Sequence, residues 1–151
     1  PSLWPFVRSS VFAPIPMPHL VILYTGQLEH ETDMTALCRS LADTMLTVRD
    51  EAGAQVFPTG GVRVFAYPAP HFAVADGSGD HGFVYMNLRM GKGRSEAAQQ
   101  QAGQRLVATA QAHFADVLQR RRVGITLQID VGLPVFDGRI GNLHPLFATP
   151  T

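Results

Sequence analysis

The stretch Met17-Pro18-His19-Leu20-Val21-Ile22-Leu23-Tyr24 sets a proline directly after a methionine and at the head of a nearly unbroken apolar run. Continued to Thr25, such a run reads as a central strand covered on both faces. Proline is tolerated at the first residue of a strand, where its missing N–H costs the ladder nothing. The same proline has two chemical states. Where a chain begins at Met17 and the methionine is removed, Pro18 carries a free secondary amine whose substituents are fixed by its ring. Where the chain begins at Pro1, Pro18 is a mid-chain amide and takes up no proton.

Outward from this strand the sequence repeats one pattern. Gly26 to Glu31 makes a turn, Thr32 or Asp33 can cap a helix, and Met34, Leu37, Cys38, Leu41, Met45 and Val48 recur at steps of three and four. A loop with Pro58 and adjacent glycines leads to a second strand, Val62 to Tyr67. Pro68 to Gly82 reads as a loop with a short extended piece near 71–74. Phe83 to Met90 alternates, with Val84, Met86, Leu88 and Met90 on one face and Phe83, Tyr85, Asn87 and Arg89 on the other. After the Gly91-Lys92-Gly93-Arg94 turn, Ser95 caps a second helix marked by Ala98, Ala102, Leu106, Ala110, Phe114 and Leu118. Arg120, Arg121 and Arg122 close it as a solvated end complementing the helix dipole. Val123 to Val131 is the last strand, and Arg139 to Phe147 a tail that adds a turn or short strand. Strand, helix, strand therefore occurs twice, each time with room for a right-handed crossover between parallel strands. The expected fold is α/β (α+β): two β-α-β units in a four-stranded mixed sheet, two helices on one face, the other face bare unless a partner covers it.

Composition narrows the function. The 151 residues suit one domain with a sizeable core. Twelve basic and twelve acidic residues leave zero net charge, with no broad footprint for nucleic acid or an anionic membrane. Only 16% of residues are charged, fewer than usual, which points to surface hidden in a homo-oligomer. Lys92 is the sole lysine; arginine suits bidentate grips on carboxylates, although a GC-rich coding sequence produces the same bias. The single Cys38 forms no internal disulfide, in keeping with a cytoplasmic location, and reads as a small buried hydrophobe. No apolar run reaches the roughly 18 residues of a membrane span. Residues 1–17 lack a continuous hydrophobic centre and are expected to be an extension, whether leader, cloning remnant or misassigned start, with 18–151 a single domain. The six histidines show no paired ligand spacing, so no metal is expected.

Six blocks, M-P-H-L-V-I, F-P-T-G-G-V-R, H-G-F-V-Y-M-N-L-R-M-G-K-G-R-S, Q-Q-A-G, A-H-F-A and N-L-H-P-L-F, carry a resemblance. From Met17 to about Ala148, in the same order, they resemble the 5-carboxymethyl-2-hydroxymuconate Δ-isomerase family of the tautomerase superfamily. The resemblance implies a trimer with each terminal proline near a subunit boundary and no cofactor. It also implies a small carboxylate substrate, 5-carboxymethyl-2-hydroxymuconate, from the breakdown of aromatic acids such as homoprotocatechuate. Pro18 would be the acid/base. An N-terminal amine has a pKa of about 7.7–8.0, and burial or a nearby cation lowers it toward neutrality. Such a base removes a proton beside a carbonyl and returns it at another carbon. Arg63 and Arg94, which match arginines of the family's motifs, are the expected substrate grips, and each would also stabilise the dienolate. His19 and Arg89, with Asn87 and Tyr85, rank second; His144 is expected to be structural. Two alternatives stand beside this reading: a tautomerase of another 2-oxo or enol acid, and a non-catalytic oligomeric binding module if Pro18 is not the N-terminus.

Overall fold

The computed structural model describes residues 18–147; the expected extension at 1–17 lies outside them. Four strands form one sheet in the order β2-β1-β3-β4. They are β1 (His19–Thr25), β2 (Arg63–Ala69), β3 (Gly82–Gly91) and β4 (Val123–Gly132). β1 pairs parallel with β2 and antiparallel with β3, and β3 pairs parallel with β4. This is the expected pair of β-α-β units. β2 runs two residues further than the sequence suggested, through Pro68. Its edge position explains this, because an edge strand leaves one row of N–H groups unused and a proline there breaks no ladder.

Helix α1 (Met34–Thr47) crosses from β1 to β2, and Asp33 caps it by accepting from the Ala36 N–H at 3.0 Å. Helix α2 (Glu96–His113) begins after Ser95, whose hydroxyl accepts from the Ala98 N–H at 3.1 Å. The second helix does not run unbroken to Arg120 as the spacing predicted. It breaks at Phe114 and resumes as a short α3 (Ala115–Arg120). Phe114 stays buried, but the break shifts the phase, so Val117 enters the core and Leu118, expected inside, is 41% exposed.

The helices cover one sheet face. Leu20, Ile22, Val84, Met86 and Leu88 point into that layer and pack with Leu37, Leu41, Met45, Leu106 and Phe114. Cys38 packs partly buried against this core, and burial pushes its thiol pKa up. In the single chain the opposite face is open, as expected where no partner covers it: Leu23 is 48% exposed, Phe65 45% and Tyr67 54%. The reason β1 reads as doubly buried is that Val21 and Leu23 are apolar although they face out. No extended piece forms near 71–74; the chain there is irregular. Among the described residues no helix is long and apolar enough to cross a membrane.

Candidate active site

The parallel and antiparallel pairings bring four chain segments to one end of the sheet: the starts of β1 and β2 and the finishes of β3 and β4. His19 stands abreast of Arg63 on one side and Arg89 on the other. Partners on one rung share a face, so these three basic groups rise together from the open face. Pro18 lies one position earlier. Extending the register by one residue sets it abreast of Val62 and Met90, and alternation gives it the face of Leu20, where it is buried.

A cleft of about 230 Å³ opens at this end of the sheet, lined by His19, Arg89, Gly132, Asp137 and Arg139 among others. Asp137 accepts from Arg139 at 3.2 Å (Nε) and 2.7 Å (Nη2) through one oxygen. His19 has its pKa lowered, first by burial and then by the neighbouring Arg63 and Arg139 guanidiniums, with Asp137 opposing. Burial and these two cations therefore favour the neutral imidazole.

Arg94 reaches the same end by a different route. β3 finishes at Gly91, and Gly93 takes φ +112°, a conformation closed to residues with a side chain. The turn it makes throws Arg94 back onto the loop that precedes β2. There Nε donates to the Val56 carbonyl at 3.3 Å and the guanidinium lies 5.2 Å from the centre of the Phe57 ring. Burial pulls its pKa below the usual arginine value. Nη2 is buried and has no hydrogen-bond partner among the described residues. Buried donors are nearly always satisfied, so this one is short of an acceptor.

The segment between Phe57 and Arg63 is held from outside by the tail. The short turn His144–Phe147 lies on the turn Thr59–Gly61. A Cβ at Gly60 would stand 2.7 Å from His144 Nδ1 and 3.1 Å from its Cα. Glycine at 60 is thus what admits the tail, and His144 has the structural place expected for it.

The structure gathers Pro18, His19, Arg63, Arg89 and Arg94 at one sheet end, with Arg94 on the helix side and the other three basic groups on the open side. Tyr85 and Asn87 are engaged elsewhere, donating across to β4 at Gln128 Oε1 (2.9 Å) and Asp130 Oδ2 (2.7 Å). Sequence reading missed Asp137 and Arg139, for the irregular tail carries no periodicity that would place them. Among the described residues no group of three or more His, Cys, Asp or Glu side chains could hold a metal ion.

A family model described as 5-carboxymethyl-2-hydroxymuconate isomerase matches residues 18–147. A crystal structure of a 5-carboxymethyl-2-hydroxymuconate delta-isomerase superposes with TM-score 0.86 at 59% identity, over 91% of this chain and 97% of that one. That of a 5-carboxymethyl-2-hydroxymuconate isomerase from Deinococcus radiodurans R1 gives TM-score 0.79 at 30% identity, over 89% and 97%. The 5-carboxymethyl-2-hydroxymuconate Delta-isomerase of Escherichia coli is 29% identical over 131 residues, 87% of this chain and 99% of that enzyme. On this match of family model, sequence and fold, the chain belongs to the 5-carboxymethyl-2-hydroxymuconate isomerase family.

Proposed function

We propose that the protein shifts a double bond in 5-carboxymethyl-2-hydroxymuconate, an aromatic-acid breakdown product, with the free amine of Pro18 as the proton carrier. The amine takes a proton from one end of the conjugated enol. As an ammonium it then delivers that proton to a carbon at the other end, so the double bonds move and the atoms of substrate and product balance. Pro18 is buried, and its burial together with the cations at this sheet end disfavours the charged amine, holding it ready as a base near neutral pH. Arg63 and Arg94 each take a carboxylate. Arg94 also stabilises the dienolate formed as the proton leaves, because a preorganised donor in a dry site needs no reorganisation when charge develops.

The observation that carries this reading is the buried Arg94 Nη2 without a partner, placed at the same sheet end as Pro18 in a chain of this family. A carboxylate is the acceptor a guanidinium prefers. The open face, with Leu23, Phe65 and Tyr67 half-exposed, is covered in a homotrimer, the assembly that suits a face too apolar for water. The test is turnover of 5-carboxymethyl-2-hydroxymuconate, followed by its ultraviolet absorbance, with a protein whose first residue has been identified as Pro18. The Pro18→Ala variant is expected to lose about 10²–10⁴-fold in kcat. Full activity in that variant refutes the mechanism.

A further inference from the structure

The substrate just proposed has three carboxylates: two belong to the muconate chain and the third to its carboxymethyl arm. Arg63 and Arg94 account for two of them. Beside His19, Arg89 and Arg139 rise into the cleft of about 230 Å³ at the same sheet end. Among the described residues the Arg89 guanidinium has neither a hydrogen-bond nor an ion-pair partner. Its backbone faces Asp130 across the β3–β4 ladder, but that carboxylate accepts from Asn87 at 2.7 Å. Arg139 is steadied from the side by Asp137, and both side chains are about one-third exposed. The lining thus brings two guanidiniums, Arg89 and Arg139, to one cleft, and Arg63 stands on the same rung as His19 and Arg89. Gly132 borders the same guanidinium: a Cβ added there would make ordinary van der Waals contact with Arg89 Nη2, at 3.9 Å.

We infer that this cleft is a carboxylate subsite, with Arg89 as its principal grip, Arg139 as its second wall and Asp137 as the group that orients Arg139, and that it receives the carboxymethyl arm. The inference rests on the proposed function and assigns a specificity to it: the arm distinguishes the substrate from plain 2-hydroxymuconate, which has nothing to place there. Removing Arg89 then harms the triacid selectively, whereas a merely structural Arg89 affects both substrates alike.

The experiment compares binding, by calorimetric titration, of hexanedioate and of 2-(carboxymethyl)hexanedioate, with turnover of 5-carboxymethyl-2-hydroxymuconate followed in parallel. The wild-type protein is expected to prefer the triacid by about tenfold or more, the worth of one charge-assisted pair. Arg89→Met should erase that preference and leave hexanedioate binding unchanged, Arg89→Lys should restore part of it, and Arg139→Met should reduce it less. An undiminished preference in Arg89→Met, with turnover intact in the wild type, overturns the subsite and leaves the isomerase reading standing. Failure of the wild type to bind either acid or to turn over the substrate overturns the isomerase reading, and the subsite falls with it.

Discussion

The two ends of the sheet both carry arginines, in opposite circumstances. At the far end, where β1 finishes and β3 and β4 begin, Arg120 and Arg121 meet acids of the fold, while Arg122 is exposed. Arg120 binds Glu31 and Asp116, and Arg121 binds Glu31 at 3.2 Å and Asp80 at 2.7 Å. At the site end, Arg94 keeps a buried nitrogen without an acceptor and Arg89 has no acidic partner among the described residues. A cation whose acids the fold supplies holds the fold together. A cation left short of an acid is held ready for one that arrives from solution, since an uncompensated buried charge is otherwise a cost.

The largest test of that contrast is Arg94→Met. It should lower kcat/KM by about 10²–10³, the usual loss when one preorganised donor is removed. Its urea midpoint should stay level or rise, because an uncompensated guanidinium gives way to an apolar side chain on Phe57. A large loss of stability with activity retained would instead place Arg94 among the structural arginines.

Gly60→Ala comes next. The tail must move to clear the added methyl, and overpacking of this kind costs about 1–3 kcal/mol. A raised KM is expected with it, since the same loop leads into Arg63; urea unfolding and steady-state kinetics read the two effects. Shortening the neighbour by His144→Ala in that background should recover part of the stability, as His144 Nδ1 is the atom met at 2.7 Å.

At the far end, Glu31→Gln should leave kcat/KM untouched and alter only the response to acid. Hydrogen bonds from Arg120 and then Arg121 hold the Glu31 carboxyl below its ordinary 4.5. A pKa lower in the folded than in the unfolded state gives stability that is complete above about pH 4.5 and is lost as pH falls through the lowered value. The variant should show a flatter acid limb in thermal melts between pH 5 and the acid transition. A change in turnover would join the two ends functionally and break the comparison. The smallest effect belongs to Arg39→Ala on α1, whose pair with Asp43 is exposed at both partners; stability should move by less than about 0.5 kcal/mol and activity not at all.

Much of this fold is legible because it is local. The alternation of Val84, Met86, Leu88 and Met90 and the caps Asp33 and Ser95 are short-range signals, and each stands where its pattern put it. Phe114 shows the limit. Four-residue spacing carries the eye from Phe114 to Leu118, whereas the break at Phe114 turns Val117 inward. Likewise Arg120 and Arg121 read as a solvated helix end, yet their partner Glu31 lies about ninety positions away and only the β-α-β topology brings it near. The candidate site was legible in part for a different reason. Pro18, Arg63 and Arg94 sit at the ends of strands and turns that punctuation marks clearly, and their family motifs are contiguous. Asp137 and Arg139 sit in a tail without period, so their approach to His19 could be seen only once the chain was folded.

The measurement that bears most directly on the account compares two otherwise identical proteins, one beginning at Pro18 and one retaining residues 1–17, in turnover of 5-carboxymethyl-2-hydroxymuconate. The account predicts that only the first is an efficient isomerase, and that its kcat/KM rises with pH through the titration of a single amine near neutrality. Equal turnover by the chain in which Pro18 is an amide would contradict it, because an amide nitrogen has no proton to carry.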